Sequence, residues 1–194
     1  RFVGTITLNR PEHLNTFNTP LAQEVYEALT ALDADPNVRV VRIKGAGKAF
    51  CAGIDVNELE GKTAMEYRSW IEHMERPLVT ISKMKKPVIA QLHGVAAANG
   101  AGLQAAADPA IAAENARMGL TAINVGLNCV GPVIPVSKSV GRKKALEMLF
   151  FGEMIKAPAA MAMGLINRVV PKEALETEAL AWAQSLAARS PVAI

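Results

Sequence analysis

An α/β fold with crossover connections is predicted for this chain of 194 residues by three observations. Short β-rich runs alternate with stretches of helical period, nothing repeats at a fixed period, and no low-complexity linker divides the chain. Composition agrees, with 51% apolar and 20% charged residues, enough to bury a real core as one domain over residues 1–194. Aromatics make up only 5%, so Ala, Val, Ile, Leu and Met must build that core.

The elements follow in order. Residues 2–8 alternate as a half-buried strand does, and Asn9-Arg10-Pro11 ends the run. Thr19-Pro20 opens a helix striped by Leu21, Val25, Leu29 and Leu32, which residues 33–37 close. Residues 38–44 read as a second strand before the turn Gly45-Ala46-Gly47. Helical period returns at Met65, with Trp70, Ile71 and Met74 on one side, and Pro77 is expected to start a fresh helix carrying Leu78 and Ile81. Strands are predicted over 87–92 and 110–113, and helices over 135–151 and 171–188, the last striped by Leu175, Ala179, Trp182 and Leu186.

Charge and cysteine content exclude several classes. The net charge of +3 is too small to mark a nucleic-acid protein. The basic excess clusters at Lys83, Lys85 and Lys86 and at Arg142, Lys143 and Lys144, as solvated faces or as a match for a ligand carrying phosphates. Cys51 and Cys129 read as reduced thiols, with no spacing for a disulfide framework and no metal-ligand set. No apolar run reaches membrane-spanning length and no signal peptide is visible. The chain opens at Arg1 without a methionine, and we expect it to be part of a longer polypeptide.

Two segments carry chemistry. In Gly45-Ala46-Gly47-Lys48-Ala49-Phe50-Cys51-Ala52-Gly53-Ile54-Asp55, small residues after a strand keep the backbone bare for a ligand, and Asp55 with Glu58 has capping-box spacing. In Leu92-His93-Gly94-Val95-Ala96-Ala97-Ala98-Asn99-Gly100-Ala101-Gly102-Leu103, a second strand ends in tiny side chains and a helix begins near Asn99. Free N–H groups and the positive dipole end at such a helix start can hold an oxyanion, and two aimed at one carbonyl oxygen make an oxyanion hole. By composition alone, either segment could equally be a tight turn or a close helix contact.

Together the segments resemble the enoyl-CoA hydratase/isomerase family, the crotonases. The likeness runs through Leu8-Asn9-Arg10-Pro11, Ala49 to Asp55, Lys86-Pro87-Val88-Ile89-Ala90 with Gly94-Val95-Ala96, and Ala112 to Gly119. It continues through Val140 to Met148 and Gly164 to Pro171, in the family's order. The resemblance implies the crotonase (ClpP/crotonase-like) fold, repeated ββα units forming a core sheet flanked by helices. It implies a backbone oxyanion hole from the N–H groups of Ile54 and Asn99, and coenzyme A as part of the substrate with no separate cofactor. It places Ala52, Gly53, Ile54, Asp55, Val56, Asn57 and Asn99 against acyl-CoA, and Arg10 near the CoA phosphates. It further implies a homotrimer or hexamer whose C-terminal helical segment is absent or truncated here, in the cytoplasm, or the mitochondrial matrix of a eukaryote.

The pattern breaks at the two glutamates with which hydratases of the family position water and shuttle its proton. Their places fall on Gly102 and Ala122, and neither residue carries a proton. Branches with a comparable Ala-Ala-Gly loop and a segment like Gly126-Leu127-Asn128-Cys129 also lack them. Gln104, Asn124, Asn128, Cys129, His93, Glu58 and Glu60 are the neighbours considered as substitutes. Gln104 lies about 200° around the helix from Gly102, amides are not general bases at neutral pH, and Glu58 and Glu60 read as an exposed helix face. Three readings remain: an acyl-CoA enzyme with unassigned proton chemistry, an acyl-CoA binder without catalysis, and an RNA binder acting through Lys83 to Lys86.

Overall fold

The structure is a computed structural model that describes residues 2–190 and 192. Its strands are β1 (Val3–Leu8), β2 (Val40–Gly45), β3 (Val88–Leu92), β4 (Val95–Ala97), β5 (Ala110–Ala113), β6 (Arg117–Gly119), β7 (Ile155–Lys156) and β8 (Arg168–Val170). Its helices are α1 (Thr19–Ala34), α2 (Ala64–Ile81), α3 (Asn99–Ala106), α4 (Val133–Val140), α5 (Arg142–Phe151), α6 (Ala157–Ala162) and α7 (Leu175–Ala187). Among the described residues no helix is long and apolar enough to cross a membrane.

Strands β1-β2-β3-β5-β8 form one parallel sheet in that order, and β4-β6-β7 a smaller second layer. The strand period of two splits the core of the main sheet. Val41, Ile43, Val88 and Ala90 face one cluster with the buried stripes of α1 and α2. Val40, Ile89 and Ile111 face a second cluster with Leu175, Ala179, Ala183 and Ala187 of α7. The alanines of α7 let that helix lie close against the sheet.

The chain repeats one unit three times: a main-sheet strand, a short pairing in the second layer, then a helix. β2 leads to the bridge at Cys51 and on to α2; β3 leads to β4 and α3; β5 leads to β6 and α4. Cys51 pairs in parallel with Ala96, and Ala96 with Met118, so the three units stand in one row. This is the repeated ββα arrangement that the resemblance implies.

Side-chain caps start the first two helices. Asn18 caps α1, its side chain accepting from Leu21 N at 3.1 Å, with Pro20 in the first turn. Thr63 and Glu66 form a reciprocal capping box at the start of α2. Three helix boundaries differ from the sequence reading, the mildest being the helix expected from 171, where a 3-10 turn over Lys172–Ala174 precedes α7. Pro77 starts no new helix; α2 runs through it, and the preceding turn has a tertiary partner, since the Met74 carbonyl accepts from Asn99 Nδ2 at 3.1 Å. The helix expected over 135–151 is two, broken at Gly141, whose φ of 79° no ordinary helical residue adopts.

Candidate active site

The row Cys51, Ala96, Met118 sets the site. Three residues beyond Cys51 lies Ile54, and three beyond Ala96 lies Asn99; Ala122 follows Met118 by four. Ile54, Asn99 and Ala122 line one narrow cavity of about 30 Å³, at the carboxyl ends of neighbouring parallel strands. α2 covers it with Tyr67, Ile71 and Met74.

The backbone there leaves two donors unused. Phe17 N–H donates to Gly53 O at 2.8 Å and Asp55 N–H to Phe17 O at 2.7 Å. That pairing takes the groups on one side of the strand and leaves the N–H of Ile54 on the other. Asn99 opens α3, so its N–H lacks an acceptor within the helix. Among the described residues neither N–H meets a protein acceptor. The Asn99 side chain, bonded to Met74 O, is spent on anchoring the helix start to α2.

Close packing explains the small residues. A Cβ on Gly100 would lie 2.1 Å from the Cys51 carbonyl oxygen, so only glycine lets α3 approach the first unit. At Gly53, with φ of 117°, the neighbour is the Cβ of Ala98, 3.2 Å from where its own would stand. Ala98 itself has φ 47° and ψ −115°, a strained backbone for a residue with a side chain. Gly102 is closed as well: a Cβ there would meet Leu78 Cδ2 at 2.7 Å and Pro132 Cα at 2.8 Å. The place of the first glutamate is therefore filled by α2 and Pro132. Ala122 does face the cavity, as a methyl group.

The remaining sequence candidates divide. Arg10 Nη2 pairs with Asp55 Oδ2 at 2.7 Å, and Arg10 Nη1 donates to Thr16 O at 3.2 Å. The Arg10 hydrogen bond holds the Asp55 carboxyl below its ordinary value against the opposing effect of burial. Asp55 caps a short turn by accepting from Asn57 N at 3.1 Å. Glu58 does not close the expected capping box. It accepts from Thr19 N and Trp70 Nε1, at 3.0 and 2.8 Å, tying α1 to α2. Burial pushes Glu58 up, but these bonds outweigh it and hold it low. Ala52 is half-buried, while Val56, Asn57 and Glu60 lie exposed beside Ile54. His93 binds Gly47 O at 3.0 Å and Asn124 donates to Gly152 O at 3.0 Å, whereas Asn128 and Cys129 line the cavity. Gln104 is buried away from it. Lys86 donates to Leu32 O at 2.7 Å, so part of the first basic cluster is spent capping α1.

Several residues on the cavity wall were not among the sequence candidates, and one of them carries a carboxyl. Glu75, on α2, lines both this cavity and an outer groove shared with Leu78 and Lys138. Its carboxyl lies against Gly131, where an added Cβ would stand 2.1 Å from Oε1. Burial pushes Glu75 up, and the backbone N–H of Gly131 only partly opposes this. Burial also raises the Cys129 thiol, and the charge of Glu75 pushes the same way; Cys51 is driven to about 12 by burial. The legible signal for Glu75 was a carboxylate inside an apolar stripe, four residues after Ile71 and three before Leu78.

Fold and site define an α/β protein of repeated ββα units with a cavity between the strand ends of successive units. The family model described as Enoyl-CoA hydratase/isomerase matches residues 1–194, and the chain belongs to that family. It is 36% identical over 177 residues to the mitochondrial enoyl-CoA hydratase domain-containing protein 3 of Xenopus laevis, covering 91% of this chain and 60% of that protein. To a putative enoyl-CoA hydratase of Thermus thermophilus it is 35% identical, covering 99% of this chain and 77% of the relative. The crystal structure of an enoyl-CoA hydratase from Mycobacterium smegmatis superposes with a TM-score of 0.94 at 38% identity, over 98% of this chain and 75% of the other.

Proposed function

We propose that the chain acts on an acyl-CoA, holding the thioester oxygen between the N–H groups of Ile54 and Asn99 and stabilising the enolate that forms when the neighbouring carbon loses a proton. The observation that carries this reading is the pair of acceptor-free N–H groups on one cavity, at the same three-residue offset in adjoining units. The positive end of α3 reinforces Asn99, and one such donor is worth on the order of 3 kcal/mol to a transition state. These are backbone roles, so asparagine serves at position 99 as glycine would.

With Gly102 closed and Ala122 apolar, ordinary hydration lacks both family glutamates and loses about 10²–10⁴ in rate for each missing acid–base group. That favours a second reading, an acyl-CoA binder without turnover. Turnover of short and medium enoyl-CoAs at ordinary enzymatic rates would exclude it. The family's trimer or hexamer is part of the proposal, and light scattering of the full-length protein checks it.

The direct test is difference infrared spectroscopy of bound crotonyl-CoA labelled with ¹³C at the thioester carbonyl. Two hydrogen bonds shift its stretch to lower frequency. A bound thioester with its solution frequency would overturn the assignment of Ile54 and Asn99.

A further inference from the structure

Among the described residues lining the cavity, Glu75 is the only carboxyl; Tyr67 and Cys129 are the other titratable groups. We propose that Glu75, delivered from α2, is the group that takes and returns the proton at the carbon next to the thioester. The assignment rests on the reading of the cavity as an acyl-CoA site.

Geometry carries the argument. Gly102 and Glu75 converge on the same stretch of chain: the bare face of Gly102 abuts Pro132, and the Glu75 carboxyl abuts Gly131. Leu78, which blocks Gly102, lies one turn from Glu75 on α2. The same packing that closes the α3 position thus brings a carboxyl to the adjoining wall. Gly131 leaves room for it, since any side chain there would collide with both carboxyl oxygens. No cation lies within salt-bridge distance of Glu75 among the described residues, so the group is not committed to a structural pair as Asp55 is. Its second face meets the outer groove, through which the proton exchanges with solvent.

The step balances without a co-reactant. The Glu75 carboxylate accepts the proton, and the C–H electron pair becomes the C=C of the enolate. The charge passes to the thioester oxygen between the two N–H groups, and the reverse step returns a proton to carbon. A raised carboxyl suits this role, because proton transfer is most efficient when the carrier's pKa lies near the working pH. The groups facing it that also titrate or carry charge are Tyr67 on α2, Cys129 in the loop before α4, and Lys138 on α4.

The test is deuterium incorporation into butyryl-CoA at the carbon next to the thioester, in D₂O, with the full-length protein. Wild type incorporates deuterium, faster as pH rises through the Glu75 ionisation. Glu75→Gln loses about 10²–10⁴ of that rate and its pH dependence, while it unfolds no more easily than wild type and the bound carbonyl frequency stays native. The amide still offers an oxygen to Gly131, so a merely structural role would leave the exchange intact. Wild-type exchange by Glu75→Gln, or no exchange by wild type with a shifted carbonyl, overturns the role of Glu75 and leaves the oxyanion hole standing. An unshifted carbonyl overturns the oxyanion hole instead.

Discussion

Glu75 and Glu176 lie on opposite sides of the five-stranded sheet and their surroundings drive them in opposite directions. Glu176, at the start of α7, accepts from Arg42 at 2.8 Å, Lys44 at 3.0 Å and Gln91 at 2.9 Å. Burial alone would raise it, but these donors pull it down to about 2. Among the described residues Glu75 has one backbone N–H and no cation within salt-bridge distance, so burial prevails and its carboxyl is raised. Partners, more than depth, decide whether a carboxylate is a fixed part of the scaffold or a group able to exchange its proton.

Linkage gives the two groups opposite signs. Glu176 is depressed, so its contribution is fully present above its ordinary 4.5 and is lost as pH falls through about 2. Glu75 is raised, so the folded chain holds that proton more tightly than the unfolded chain does. Stability therefore falls as pH rises from 4.5 through its folded value. The largest expected effect follows: Glu75→Gln costs about 10²–10⁴ in proton exchange and at neutral pH unfolds no more easily than wild type. A calorimetric scan of the variant at pH 5 and pH 8 checks the sign, since wild type should lose its relative standing only at the higher pH.

Reinstating the family's glutamate should fail. Gly102→Ala already places a Cβ against Pro132 Cα at 2.8 Å and should cost up to about 3 kcal/mol as overpacking. Gly102→Glu adds a carboxylate with nowhere to stand. Urea denaturation measures the first, and exchange by Gly102→Glu no faster than wild type confirms the second. A well-folded, faster Gly102→Glu would show that α2 can retreat and that Glu75 is not a replacement.

Glu176→Gln sharpens the comparison from the scaffold side. Arg42, only 5% exposed, would lose its one charged partner while keeping the Gln91 amide. Half-exposure of Glu176 limits the loss, which we expect to be about 2 kcal/mol. Proton exchange should be unchanged, because the cluster faces α7 and not the cavity. Chemical denaturation and the butyryl-CoA assay run side by side separate the two effects.

What could be read from the sequence follows from how strongly each neighbourhood writes itself into local pattern. The inner strands β2 and β3 are covered on both faces, so 38–44 and 87–92 carry apolar, β-branched residues that announce themselves. β4 and β6 have three residues each, too few for a period, and Val95-Ala96-Ala97 reads as loop until Cys51 and Met118 pair on either side. Ile54 emerged only through the family resemblance, because an unpaired N–H leaves no side-chain signature. Asn99 already stood out as the start of a helix and took its specific role from the resemblance. Glu75 did leave a side-chain signature, as a carboxylate inside the stripe Tyr67, Ile71, Met74, Leu78, well apart in sequence from the glycine segments. The closure of Gly102 by Leu78 and Pro132 is tertiary and had no local sign at all.

The smallest effect concerns the turn that presents Asn99. Ala98 holds φ at 47° immediately before α3, a region where a Cβ is disfavoured and glycine is at ease. Its methyl group lies over Gly53, beside Ile54. Ala98→Gly should relieve the strain and raise stability by about 1 kcal/mol, less whatever the lost methyl contact contributed. The same change frees the backbone between the two donors, so the bound carbonyl stretch should broaden as its hydrogen bonds become less uniform. Denaturation curves together with the crotonyl-CoA infrared band decide the matter. Gain of stability with an unchanged band would mean that the strain belongs to the fold alone; gain with a broadened band would mean that Ala98 trades stability for a rigid pair of donors.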